Sequence, residues 1–392
     1  MDRCKTRSKL MNNDAITYDV IIIGAGVAGC ATAISLKNEA PHLNIAIIER
    51  ASELKTEDPT SYRIGETLPP HASQQLQNLG IWKSFLKCNF INAYGTSAAW
   101  GSSELYHNEY IYSPYGYGWH LDRIVFDQFM IKETKKKGVF TYFETSVISS
   151  EKTSNYWHLQ INTKKRQTAI KCSFVIDATG KKAAFSCLQK TFKIKEDQMV
   201  GIYRFYDISN QNENKSRLGN GTCVESDPYG WWYSATLPNK TLVIGYMTDT
   251  DIANEMQLKK TTVFNELLYN SCYTYSRTLK TKKLSEPRVV AAHTQYLSSV
   301  VGNSWLAVGD AASSYDPISS LGIFKSLAMS QFAAYATLDD LKGNRSGLHK
   351  YQQIITNDYL GYQKKRQEYY NQESRFTSSP FWKRRHTNIN YN

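Results

Sequence analysis

"YDVIIIGAGVAGCATAISLKNEAPHLNIAIIER" runs from Tyr18 to Arg50, and its order of residue types decides the architecture. The β-branched run Val20 to Ile23 predicts a buried strand. Gly24, Gly26 and Gly29 follow in G-x-G-x-x-G spacing. A helix rich in small residues then reaches to Pro41, and a second apolar run, Ile45 to Ile48, delivers Glu49. Strand, glycine turn, helix, strand and an acid 20 residues beyond Gly29 is the pattern of a dinucleotide-binding βαβ unit. Gly24 permits the tight turn, Gly26 lets a pyrophosphate approach the backbone, and Gly29 lets helix and strand pack closely. The helix N-terminus offers unpaired N–H groups and positive dipole to the phosphates. Glu49 would accept hydrogen bonds from ribose hydroxyls.

Outward from this unit, the chain alternates between two kinds of pattern. His120 to Gly138 carries Leu121, Ile124, Val125, Phe129 and Met130 at helical spacing and returns to the cofactor domain. Phe140–Ser149, Tyr156–Thr163 and Ala169–Asp177 read as a small meander ending in "VIDATG", Val175 to Gly180. Between Met199 and Met247, "VGIYRFY", "YGWWYSATLP" and "LVIGYM" predict a mostly antiparallel sheet. Val289 to Val308 is expected to restore strands to the first domain. Gly322 to Leu341 and His349 to Tyr370 read as helices. The expected fold is therefore α/β: a Rossmann-like dinucleotide domain, an interleaved antiparallel substrate domain and a C-terminal helical segment. Residues 18–60, 120–198 and 285–345 are assigned to the cofactor domain, and 61–119 and 199–284 to the substrate domain. Residues 346–392 form the helical segment, and 1–17 are set aside as disordered or non-native.

Composition narrows the function classes. The 392 residues are 41% hydrophobic and 13% aromatic, enough for a large core, and no run approaches the roughly 20 apolar residues of a membrane helix. The seven cysteines, far apart and without a C-x-x-C pair, fit reduced thiols in the cytoplasm and no metal site. The net charge of +12 is spread over short clusters such as Lys135–Lys137 and Lys383–Arg385, with no nucleic-acid motif around them. Solvated faces, or steering of an anionic cofactor or acidic partner, account for it better than nucleic acid does.

The third informative stretch is "WLAVGDAASSYDPISSLGI", Trp305 to Ile323: an apolar strand, Gly309-Asp310, Pro317, then a helix from Gly322. With the glycine turn and Asp177–Gly180, it makes the chain resemble flavin monooxygenases of the para-hydroxybenzoate hydroxylase superfamily, whose cofactor domain is of the glutathione-reductase type. That resemblance implies FAD. Gly24, Gly26, Ala28, Gly29, Glu49, Arg50, Val147 and Gly180 would serve its nucleotide end, and Asp310 the pyrophosphate or ribityl oxygens. Pro317, Gly322 and Ile323 would underlie the flavin, with helix-start amides at its N1 and O2.

Within that superfamily the chain is most similar to the tryptophan halogenase group and its hydroxylating relatives, the maturases of protein-bound tryptophan quinones. "RIGETLPP" (Arg63 to Pro70), "GWHLDRIVFD" and "YYNQESRFTSSPFWKRR" (Tyr369 to Arg385) carry this likeness. It makes Arg123 a flavin-nucleotide contact; its bare residue type is equally that of a surface helix cation. Halogenases use a lysine near the "GTSAAWG" strand, where this sequence places Ala93, with Lys87 several residues upstream. Their G-W-x-W-x-I-P box appears only as "GWWYSATLP", Gly230 to Pro238. Trp231 and Trp232 read first as sheet-core aromatics.

The departures point to hydroxylation of an electron-rich indole or phenol through a flavin C4a-hydroperoxide, with Trp or Tyr of a peptide or protein as a candidate substrate. The alternatives are a halogenase and an isoprenoid-type FAD reductase. Glu66, His71 and His120 are the candidate catalytic groups: a base or hydrogen bonder in a dry pocket. His71 is equally a helix-start histidine meeting solvent, Glu66 equally a buried anchor of its loop, and His120 a packed residue at the domain junction. A second glycine turn for a nicotinamide cofactor is missing, so electrons are expected from transient NADPH contact or a flavin reductase. No membrane or nucleic-acid partner is expected.

Overall fold

The computed structural model describes residues 16–53, 63–164, 166–210 and 221–386. The expected N-terminal tail lies almost entirely outside them. Five parallel strands build the cofactor sheet, in the order Trp305–Ala307, Gln167–Asp177, Thr17–Ile23, Ile45–Ile48, Phe140–Tyr142. Ile21 sits opposite Val175, and Ile22 opposite both Ile176 and Ile47. The isoleucines and valines of this run are buried, as in a sheet covered on both faces, which is why the strands read as continuous apolar runs rather than alternating ones. Helix Val27–Glu39 packs on helices Arg123–Lys136 and Gly322–Leu341. Strand Gln167–Asp177 is long enough to do two jobs. Its first half pairs antiparallel with Trp157–Thr163, its second half parallel with Thr17–Ile23. The expected meander is thus present, except that Phe140–Tyr142 leaves it to become the parallel edge of the main sheet.

The second large sheet runs Lys282–Lys283, Met199–Asp207, Thr241–Asp249, Gly230–Leu237, Thr222–Asp227, Gly95–Ala99, Tyr106–Glu109. It is antiparallel except where Thr222–Asp227 meets Gly95–Ala99. Side chains alternate across it. Trp231 joins Tyr203, Phe205 and Met247 on the face covered by the C-terminal Tyr370, Phe381 and Trp382. Trp232 joins Tyr246 and Phe264 on the opposite face. Both tryptophans are core aromatics, as their position on an alternating strand implied.

One expectation is corrected. Arg288–Ala291, read as part of the return to the first domain, instead pairs antiparallel with Met199–Asp207 in the second sheet. Its valines and alanine serve an edge strand as well as a buried parallel one, so composition did not separate the two. Only Val301–Gly302 and Trp305–Ala307 of that stretch rejoin the cofactor sheet. We therefore place the boundary after Ala292.

The C-terminal helices Ser346–Gln372 and Pro380–His386 are locked onto the second sheet by buried polar contacts. Arg385 grips the Asp249 carboxylate at 2.7 and 3.1 Å, and the Trp382 indole N–H donates to Asp227 O at 2.8 Å. Among the described residues, no helix is long and apolar enough to cross a membrane, six cysteines are free, and no cluster of potential metal ligands forms.

Candidate active site

The carboxyl ends of the parallel strands converge where the glycine turn, Glu49 and the Asp177–Gly180 bend meet. At Gly24, where φ is +112°, an added Cβ would stand 2.3 Å from the Ala178 carbonyl oxygen. The turn therefore tolerates no side chain. Gly26 is the opposite case: a Cβ there would meet no protein atom within 4 Å, and the space beside it opens into two cavities. These measure about 530 and 370 Å³ and share Gly26, Ala178 and Gly180 as common wall. Helix Val27–Glu39 starts at this junction without a side-chain cap, so the N–H groups of its first turn are left to a ligand. In the first cavity Glu49 is braced by two backbone donors, Ala25 N and Ala51 N, both at 2.8 Å. Arg50 and Val147 line the same space. A trough with an anchored carboxylate at one end and bare helix amides in the middle fits the adenosine and pyrophosphate of FAD. Gly180 lies on the wall of both cavities, whereas Ala28, expected at the nucleotide end, lines only the second.

The second cavity receives Pro317, Gly322 and Ile323, expected beneath a flavin, and Asp310, expected at its pyrophosphate or ribityl oxygens. Two lysines stand near Asp310, Lys325 buried and Lys181 half-buried. Lys325 Nζ lies 3.5 Å from Asp310 Oδ1 and 4.0 Å over the Tyr315 ring, and also donates to the Ser313 carbonyl. Lys181 lines the cavity and donates to His293 O at 2.8 Å. Burial lowers the pKa of both, and the Asp310 carboxylate opposes that shift. The sequence reading missed both. The signal for Lys325 was a charge inside the apolar start of its helix. Asp316, which the sequence left without a role, is wholly buried. Its Oδ1 accepts from Ile318 N at 3.0 Å, and its Oδ2 from Arg366 Nε at 3.1 Å and the Tyr370 hydroxyl at 2.8 Å. It ties the Pro317 turn to the C-terminal helix.

Arg123 lines the second cavity, but its guanidinium already donates to Ile64 O at 2.8 Å and pairs with Asp127 at 3.1 Å. It is not a surface cation; it clamps the Ile64–Gly65 loop against the cofactor domain and leaves its Nε without a partner among the described residues. Asp310→Ala is expected to lower FAD occupancy of the purified protein sharply, because it deletes charge-assisted hydrogen bonds of about 1.5–3 kcal/mol each. It also leaves Lys325 buried without its carboxylate. Absorbance of the flavin per protein chain measures the loss, and unchanged occupancy would overturn the assignment.

The three candidate catalytic groups part company in the structure. Glu66 lines the second cavity and is buried. Its Oε2 accepts from the Tyr233 hydroxyl at 3.1 Å, and its Oε1 has no partner among the described residues. Burial pushes its carboxyl up to about 7, against the pull of Arg123 and Tyr233. The Tyr233 hydroxyl is held in turn by Thr67 at 3.1 Å. Tyr233 was hidden in the "GWWY" box; its spacing of two from Trp231 puts it on the cavity side of the strand.

His71 does not line the cavity. Its ring packs edge-on against Phe324, 4.2 Å between centroids, and burial, not the helix start, lowers its pKa. His120 is fully buried on strand Gly118–His120, with both ring nitrogens unpartnered and its pKa lowered to about 4 by burial and by Arg277. It too is absent from the cavity wall, as expected of a residue packed at the junction. Of the three, only Glu66 lines the second cavity.

The tryptophan halogenase family profile matches residues 97–391. LodB of Marinomonas mediterranea, which carries the provisional name FAD-dependent oxidoreductase, is 31% identical over 94% of this chain and 97% of its own length. Among solved structures, the myxobacterial chondrochloren halogenase CndH, described as a variant of FAD-dependent halogenases, superposes with a TM-score of 0.84. It is 18% identical, over 96% of this chain and 87% of its own. The peptidyl tryptophan dihydroxylase QhpG, described as essential for tryptophylquinone cofactor biogenesis, gives 0.68 at 19% identity, over 94% and 78%. At such identities the two structures speak for the fold.

Proposed function

The chain belongs to the tryptophan halogenase family of FAD-dependent oxidoreductases, and on that premise we propose that it is a monooxygenase hydroxylating an electron-rich aromatic ring, an indole or a phenol. FAD, once bound in the trough and reduced, would supply activated dioxygen; the protein supplies the rest. Glu49 and the helix-start amides at Gly26 hold the nucleotide end, and Asp310 with the Pro317–Ile323 turn holds the ring end. Glu66 accepts the proton of the indole N–H or phenol O–H as oxygen arrives at the ring. Tyr233 and Thr67 keep its carboxylate in place. The apolar wall of Tyr203, Met247 and Ile323 excludes water, which strengthens each of these electrostatic contacts.

The observation that favours oxygen transfer over halogen transfer is Ala93. It stands, buried and without an amine, on strand Ile91–Ala93 at the position where the family likeness expects the halogenases' lysine. Lys181, which does line the flavin-side cavity, has its ammonium engaged by His293 O. Halogenation is the second reading, favoured by the family profile and by the close superposition on CndH.

Mass spectrometry of products from candidate aromatics, made with and without chloride and bromide, separates the two. A gain of one oxygen indifferent to halide is expected, and a chlorine or bromine isotope pattern would replace the hydroxylase reading by the halogenase one. Turnover without dioxygen would point instead to a double-bond reductase. Electron supply by NADPH or a flavin reductase, and Trp or Tyr of a polypeptide as substrate, belong to the same proposal. The QhpG superposition gives the polypeptide case a fold precedent.

A further inference from the structure

Strand Arg288–Ala291 is exposed at all four residues, with Val289 and Val290 each 38% exposed. Its antiparallel partners are Tyr203, Ile202, Gly201 and Val200 of strand Met199–Asp207. The short strand Lys282–Lys283 pairs with that same strand farther along, at Tyr206 and Asp207. It lies in line with Arg288–Ala291 and does not cover it. Ala292 N donates to Met199 O at 3.0 Å. Antiparallel pairing alternates, so Val290 and Arg288 also turn their backbone groups inward, and Val289 and Ala291 turn theirs outward. Among the described residues no strand pairs with that outer edge. An exposed edge, apolar apart from Arg288, whose outward amides meet no described strand is a template for another strand.

Two observations say what the edge takes. Ala291 and Ala292 line the flavin-side cavity, so a strand added here would lie along the cavity mouth. Beside it opens a recess of about 280 Å³ lined by Arg63, Arg123, Arg288, Tyr203 and Val290. It shares Ile64, Arg123 and Tyr203 as common wall with the flavin-side cavity. Three arginines and no acidic residue form its described lining; Asp127 pairs with Arg63 and Arg123. A second copy of the chain would set another arginine-lined recess against this one, like charge on like. An extended acidic segment meets both demands.

We infer that the 288–291 edge is the docking strand for the substrate: an extended, acidic stretch of polypeptide that pairs with the outward groups of Val289 and Ala291 and directs an aromatic side chain into the flavin-side cavity. This rests on the reading of an aromatic hydroxylase and specifies its substrate as a peptide segment.

Binding is measured without turnover, on the full FAD-loaded oxidised chain. The probe is a fluorescein-labelled peptide of about nine residues, alternating Glu and Val around a central Trp. It is expected to bind, and to weaken as salt is added. The same peptide with Lys for Glu should bind at least about tenfold more weakly. N-methylation of one alternate set of backbone amides should abolish binding, and methylation of the other set should spare it. Val289→Pro removes one outward N–H and none of the inward ladder. It should retain FAD and weaken the peptide by about tenfold or more. Equal tolerance of both methylated sets, no preference for the acidic peptide, or a dimer in sedimentation that Val289→Pro separates would each overturn the inference. A chain that binds the peptide this way yet transfers no oxygen sinks the catalytic reading alone. One that oxidises free aromatics yet ignores the peptide sinks the docking alone.

Discussion

Gly29→Val will leave the protein colourless and less stable. An added Cβ at Gly29 would stand 2.0 Å from the Gly24 carbonyl oxygen and 3.2 Å from the Ala178 Cβ, far inside contact distance. The helix Val27–Glu39 must therefore lift from the sheet, and with it the first-turn amides that would meet the phosphates. Helix Gly322–Leu341 packs on that helix, so the displacement reaches the ring end as well. Overpacking of this kind costs about 1–3 kcal/mol, and the branched valine adds to it. Calorimetry of the apoprotein and flavin absorbance of the purified protein read the two losses separately. The informative companion is Gly26→Ala. Its methyl group meets no protein atom within 4 Å, so the apoprotein should melt where the wild type does while FAD retention falls. A Gly29→Val protein that is yellow and melts normally would refute the close packing.

Glu66→Gln is expected to reduce oxygen transfer by about 10²–10⁴-fold, the usual worth of a positioned base, with FAD content unchanged. The pH profile distinguishes a base from a loop anchor. The ionised carboxylate is the acting form and burial raises its pKa to about 7. Turnover in the wild type should thus be low below that value, climb through it and level off above. In the Gln variant that limb should vanish. Stability runs the other way. The folded chain holds on Glu66 a proton that the unfolded chain has already lost above the ordinary carboxylate range, so folding binds a proton between that range and about pH 7. Stability attributable to Glu66 falls as pH rises through this window, and the slope should be missing in Glu66→Gln. A variant that keeps both limb and slope would remove Glu66 from the mechanism.

The cofactor half of this site was legible because its chemistry is written in local order. Gly24-x-Gly26-x-x-Gly29 and Glu49 lie within a single βαβ unit, and each residue has a steric or hydrogen-bonding reason that needs no distant partner. Asp310, Pro317 and Gly322 were found the same way, from a strand tip that turns into a helix. The catalytic half was not, since it depends on which faces meet across the two sheets. His71, His120 and Glu66 have equally suggestive residue types, and only burial and packing separate them. Tyr233 became visible as the group holding Glu66 once strand Gly230–Leu237 was placed against strand Thr67–Leu68. The fate of Arg288–Ala291 was undecidable for a related reason: two valines and an alanine suit an edge and a core strand alike.

The parallel sheet draws its strands from both ends of the chain, Thr17–Ile23 beside Gln167–Asp177 and that beside Trp305–Ala307. During synthesis the glycine turn leaves the ribosome early and waits for Asp310 and Gly322, close to 300 residues behind it. Closing so long a loop is slow. The two ends of the flavin trough can therefore meet only once Trp305–Ile323 has been made, and FAD should bind late in folding rather than to the isolated glycine turn.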